Sequence, residues 1–102
     1  MLVDGVSVCA CLVNAGTVAG CEVRTVAGLA SPDLEAAMAR NGTVQCGFCT
    51  PGFVVSSEAL LAGGGVPSRD EVREALAGNL CRCTGYAGLV EAVMEVARER
   101  AG

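Results

Sequence analysis

Apolar residues are spaced in two regimes along this chain. Near the start, Met1 to Val3 and Val6 to Val13 are short apolar stretches on either side of Asp4-Gly5, a dipeptide that supports the positive backbone angles of a tight hairpin turn. Cys21 to Val26 mixes polar and apolar residues as a third strand would. Three short strands make too little sheet to be stable alone. From Ser31 the spacing becomes helical. Ser31 is placed to N-cap with Pro32 at the first helical position, and Leu34, Ala37 and Met38 recur at helical intervals until Asn41-Gly42, predicting a helix over 32–41. Thr50-Pro51 repeats the cap-and-proline signal ahead of Phe53, Val54, Ala59, Leu60 and Leu61, and Gly63-Gly64-Gly65 stops that helix. Ser68-Arg69-Asp70-Glu71 fits a capping box for a third helix reaching about Ala77 and Gly78. The last helix starts near Thr84 and turns Leu89, Val90, Val93, Val96 and Ala97 inward, with Glu91, Glu95, Arg98 and Glu99 outward. The expectation is a mainly α chain: a short β segment over 1–29, then a four-helix unit over 30–102.

Composition narrows the picture. A length of 102 residues suits one domain, or one domain with a fragment of another. Hydrophobic residues make up 52% of the chain but only three are aromatic, so the core must be built from Ala, Val, Leu and Met. A bound cluster or a partner would help so light a core. The net charge is -4, from eleven acidic residues against seven Arg and no Lys. No basic patch is available to neutralise phosphates, so nucleic acid is not an expected partner. The start lacks a basic leader region, and no apolar run reaches the roughly 18 residues of a membrane span. A soluble, cytoplasmic chain is expected.

Cysteine carries the chemistry. Seven cysteines without a secretion signal point to reduced thiols used as ligands, whereas a secreted disulfide scaffold favours an even number. Four of them sit in two interhelical loops, Gln45-Cys46-Gly47-Phe48-Cys49-Thr50-Pro51-Gly52 and Asn79-Leu80-Cys81-Arg82-Cys83-Thr84-Gly85-Tyr86. The spacing is C-x2-C, thirty-one residues, then C-x-C. Four thiolates can hold a 2Fe-2S cluster with two on each iron, and close pairs on separate loops suit that geometry. Each loop feeds directly into a helix, whose first turn offers free amides and partial positive charge to an anionic cluster. Gly47 and Gly85 would let backbone come close to it. Structural zinc also uses paired cysteines, though usually C-x2-C twice, so the C-x-C half weakens that alternative.

With Gln45, Thr50-Pro51-Gly52 and Thr84-Gly85-Tyr86 around them, the two motifs resemble the C-terminal helical domain of the iron-sulfur subunits in the molybdenum hydroxylase family. That family includes xanthine dehydrogenase, aldehyde oxidoreductases and aerobic carbon monoxide dehydrogenase. The resemblance covers residues 31–102 with specific motifs and extends more weakly to residue 1. It implies that Cys46, Cys49, Cys81 and Cys83 ligate one 2Fe-2S cluster, and that Gln45 and Cys83 lie near the pterin of the molybdenum cofactor. It implies two partners, a molybdopterin-binding large subunit and an FAD-binding medium subunit. Electrons would pass from molybdopterin through this cluster toward a second cluster and FAD, and the chain alone would catalyse nothing. Arg82 is expected at the surface, offsetting cluster charge, and Phe48, Phe53 and Tyr86 in packing. Cys9 and Cys21 are read as small residues without chemistry.

Leu2-Val3-Asp4-Gly5 and Ala10-Cys11-Leu12 resemble the part of the family's plant-type ferredoxin domain that holds the fourth ligand of a second cluster. The other three ligands, in C-x4-C-x2-C, are absent. With no Lys, no Ile and many Ala, Gly, Val and Arg, the chain looks encoded by GC-rich DNA, where a Val codon can be read as a start. Residues 1–29 are therefore expected to be the remnant of a ferredoxin-like domain. A zinc-stabilised interaction module and a nonfunctional truncated fragment are the competing readings.

Overall fold

The computed structural model describes residues 1–102. Asp4 and Gly5 take φ of 48° and 81°, the left-handed pair that a two-residue hairpin requires. They fold β1 (Leu2–Val3) back onto β2 (Val6–Ser7), and β3 (Val23–Arg24) pairs antiparallel with the other edge of β1. Asp4 also secures the approach to β3: its Oδ1 accepts from the Glu22 amide at 2.8 Å and its own amide donates to Glu22 O at 2.9 Å. The second strand does not continue to Val13 as expected. Beyond Ser7 only Val8 is still paired, its amide donating to Met1 O at 3.0 Å and its carbonyl accepting from the Met1 amine at 3.2 Å. The chain then coils into tight turns at Ala10–Leu12 and Ala15–Val18, the latter capped by Asn14. The third strand is likewise two residues, because β1 offers only Leu2 and Val3 to pair with.

A short α1 (Val26–Leu29) follows, a helical turn without a signature in the sequence pattern. The four expected helices are α2 (Pro32–Arg40), α3 (Thr50–Leu61), α4 (Arg69–Leu76) and α5 (Ala87–Ala101). The capping box of α4 is complete: Ser68 Oγ accepts from the Glu71 amide at 3.2 Å, and Glu71 Oε2 accepts from the Ser68 amide at 2.6 Å. Ser31 behaves differently from expectation. It occupies the N-cap position of α2 without capping, because its hydroxyl donates to the Glu58 carboxylate and accepts from Arg100 Nη2 at 2.8 Å. Thr50 is the first helical residue of α3, with Cys49 at the N-cap. The start of α5 is delayed to Ala87 because Gly85 and Tyr86 have φ of 73° and 71°, values that a right-handed helix excludes.

α5 is the central strut. It buries Leu89, Val90, Ala92, Val93, Met94, Val96 and Ala97, a wider face than one amphipathic stripe, because α2, α3 and α4 all lie against it. Facing it are Leu34, Ala37 and Met38 of α2, Phe53, Val54 and Leu61 of α3, and Val72 and Leu76 of α4. A smaller cluster of Leu2, Leu29 and Val55 fastens the sheet and α1 to the flank of α3, and Val26 touches both clusters. No helix is long and apolar enough to cross a membrane.

Two close approaches place the cysteine loops. A Cβ on Gly88, in the first turn of α5, would lie 2.6 Å from Asn41 O at the end of α2. Just beyond, the buried Thr43 turns its hydroxyl back to donate to Met38 O at 3.1 Å, fixing the exit toward the first loop.

Candidate metal centre

The two cysteine loops meet at the N-termini of α3 and α5 and enclose a cavity of about 530 Å³. Cys46, Cys49, Cys81 and Cys83 all line it, with Phe48, Leu80, Arg82, Gly85 and Tyr86 completing the wall. Cys49 and Cys81 are half-buried, while Cys46 and Cys83 are exposed. The thiols adjoin one another across the loops, Cys49 beside Cys81 and Cys46 beside Cys83. No three Cys, His, Asp or Glu side chains converge on a point suited to a single ion. Two thiolates per iron is what a 2Fe-2S cluster asks for, and a tetrahedral zinc site asks for four ligands at one point. The donor set therefore fits the cluster better.

In the first loop Gly47 reverses the chain at φ 82°. A Cβ there, or on Gly85, would meet no protein atom within 4 Å, so the need for glycine visible in the fold is conformational. Asn79 anchors the second loop: its amide donates to Leu76 O at 3.0 Å and its Nδ2 to Ser56 Oγ at 2.8 Å. Gly52 makes room for this anchor, since a Cβ would lie 2.5 Å from Asn79 Oδ1. Further along, the Cys81 amide donates to the Tyr86 hydroxyl at 2.9 Å, while the Tyr86 ring meets Phe53 edge-on with centroids 6.2 Å apart. Cys81 Sγ in turn accepts from Thr84 Oγ1 at 3.1 Å and from the Thr84 amide at 3.4 Å.

These contacts set the acidity of the thiols. The Thr84 hydroxyl, then its amide and the Cys83 amide, lower the Cys81 pKa to about 7 against the effect of desolvation. Burial, followed by the neighbouring Cys81 and Cys46, pushes Cys49 up, and the Cys46 thiol raises Cys83. Cys81 is thus eased toward the thiolate, the form that binds metal.

Other residues depart from the cavity or from expectation. Gln45 is exposed next to Cys46. Phe48 does not pack: it is 95% exposed, and Leu80 beside it is 83% exposed. Phe53 is fully buried, as expected of a packing residue. Arg82 is exposed without a partner, whereas each of the other six Arg reaches a carboxylate or a carbonyl. Cys9 and Cys11 are exposed with Sγ atoms 3.5 Å apart, and neither they nor Cys21 line the cavity. The positioning roles of Gly52, Asn79 and Thr84 carry no signal in the spacing, because each depends on how α3 and the second loop approach in three dimensions.

A small helical bundle with two cysteine loops around one cavity defines a metal-cluster domain, and known proteins narrow the class. Residues 25–94 match the 2Fe-2S binding domain family. The chain is 47% identical over 98 residues to the nicotine 6-hydroxylase small subunit of Paenarthrobacter nicotinovorans, covering 93% of this chain and 59% of that protein. It is 43% identical over 101 residues to the xanthine dehydrogenase iron-sulfur-binding subunit of Escherichia coli O157:H7, covering 93% and 64%. Among solved structures, quinoline 2-oxidoreductase from Pseudomonas putida 86 superposes with a TM-score of 0.83 at 41% identity, over 99% of this chain and 68% of that one. Aldehyde oxidoreductase from Desulfovibrio gigas gives 0.87 at 42% identity, over 94% and 11%. The chain belongs to the 2Fe-2S binding domain family, in the form carried by the iron-sulfur subunits of molybdenum hydroxylases. It spans 59 to 64% of the length of the curated bacterial subunits it matches.

Proposed function

We propose that Cys46, Cys49, Cys81 and Cys83 ligate one 2Fe-2S cluster, and that the chain relays electrons from a molybdopterin-binding large subunit toward a second cluster and an FAD-binding medium subunit. The cross-loop pairing of four thiols around one cavity carries this reading. A bound cluster supplies one-electron redox chemistry. The protein's part is to hold the ligands. Asn79 and Gly52 brace the second loop against α3, Thr43 and Gly88 brace the exit of α2, and Thr84 eases deprotonation of Cys81.

Docking is supported by the rim of the cavity. Phe48, Leu80 and Tyr86 expose apolar surface around it, and the unpaired Arg82 adds a positive charge. Clustered exposed apolar residues of this kind mark partner surfaces. Within that interface Gln45 and Cys83 are assigned to the pterin side. Residues 1–29 are assigned to the end of a ferredoxin-like domain and 30–102 to the helical cluster domain. Seven free cysteines favour a reducing compartment, in keeping with the cytoplasm.

Anaerobic reconstitution tests the ligand set. The chain should take up about two irons and two sulfides, Cys81→Ser should lose most of them, and Cys11→Ser should lose none. Iron and labile sulfide surviving loss of both Cys81 and Cys83 would refute the assignment. A colourless protein holding one zinc would support the interaction module, and an insoluble chain without metal the nonfunctional fragment.

A further inference from the structure

The four thiols around the cavity are not equivalent. Only Cys81 accepts a hydrogen bond from a hydroxyl, that of Thr84 at 3.1 Å. As a ligand Cys81 is a thiolate with no proton to give, so in that bond the Thr84 hydroxyl donates and the sulfur accepts, while Thr84 Oγ1 itself accepts from the Tyr86 amide at 3.4 Å. The left-handed conformations of Gly85 and Tyr86 fold that amide back onto Thr84. Thr84 itself is half-buried, so water competes only partly for its proton.

We propose that Thr84 sets the electron affinity of the cluster, raising its midpoint potential through the hydrogen bond it gives to the Cys81 sulfur. The inference rests on the ligand assignment made above. One-electron reduction adds negative charge that spreads onto the ligand sulfurs, so a donor aimed at one sulfur stabilises the reduced state more than the oxidised one. No bond forms or breaks: the electron arrives from the reductant and the proton remains on Thr84 Oγ1. Burial acts the other way, since Cys49 and Cys81 are the more buried pair and desolvation disfavours added charge. That burial is only partial, and the donor works at contact distance, so the hydrogen bond dominates.

The test uses the full chain, reconstituted anaerobically and titrated with dithionite while absorbance and electron paramagnetic resonance are followed. Thr84→Val removes the hydroxyl at nearly constant shape. It should retain full iron and sulfide but lower the reduced-to-oxidised ratio at fixed poise about ten-fold, a shift of ~59 mV for a one-electron couple. Its resonance signal should change shape, and Thr84→Ser should restore both properties. An unchanged midpoint in a fully loaded Thr84→Val overturns the proposal. So does loss of the cluster from both Thr84→Val and Thr84→Ala, which would make Thr84 a structural residue. Failure of the ligand assignment is read separately, from a Cys81→Ser chain that keeps its cluster.

Discussion

At the scale of single residues, two helical glycines carry opposite expectations. Gly88 faces backbone: an added Cβ would lie 2.6 Å from Asn41 O and 3.5 Å from Thr43 Cγ2. Alanine gains about 1 kcal/mol of helix propensity over glycine, but overpacking against an immovable carbonyl costs about 1–3 kcal/mol. Gly88→Ala should therefore lower stability, and thermal denaturation reads it. Gly28, in α1, meets nothing within 4 Å, so Gly28→Ala should gain about 0.4–1 kcal/mol in the same assay by restricting the unfolded chain. Neither outcome was legible in the sequence, where both are merely glycines in apolar surroundings. What was legible is chemistry that a residue carries by itself or with near neighbours. The four cavity thiols, the Asp4-Gly5 turn and the five inward positions of α5 are of that kind. The contacts of Gly52 with Asn79 and of Ser31 with Arg100 join distant segments, and local pattern has no access to them.

At the scale of elements, helices were read more accurately than strands because their signals are local. α4 shows it best: eight residues are too few to persist alone, and the box formed by Ser68 and Glu71 satisfies amides that would otherwise face solvent unpaired. Ser68→Ala should cost about 1 kcal/mol, seen as a lower midpoint in denaturant with an unchanged slope. An altered slope would mean that Val72 and Leu76 had pulled out of the core and α4 had detached, changing the native state itself. Strands need partners, and here the limit on β2 and β3 is the two-residue length of β1. No property of Val8 to Val13 announces that. The late start of α5 is similar, since Tyr86 in a left-handed conformation is held by its hydroxyl on the Cys81 amide and its ring on Phe53.

At the scale of the whole molecule, Arg100 closes the bundle. From the last turn of α5 it binds Asp33 through Nε at 2.7 Å and Nη2 at 2.9 Å, and reaches Glu58 of α3 at 3.2 Å. The guanidinium holds the Asp33 carboxyl far below its ordinary range, so the folded chain binds that proton less readily than the unfolded one. The resulting stability is complete above the unfolded pKa near 4 and is lost as pH falls below it. Glu95, lowered by Arg40, and Glu71, lowered first by the Ser68 amide, add in the same direction. Arg100→Met should cost roughly 1 kcal/mol at pH 7, a modest figure because the network is partly exposed. Its difference from the unsubstituted chain should shrink toward pH 2, measured on metal-free protein so that acid release of iron does not enter. The hydroxyl of Tyr86 on Cys81 has a consequence of another kind. Tyr86 is the sole tyrosine, and the chain has no tryptophan, so a single side chain absorbs at wavelengths beyond the phenylalanine band, and it stands in the wall of the thiol cavity. Light emitted on excitation in the tyrosine band, where phenylalanine does not absorb, comes from the cysteine loop alone.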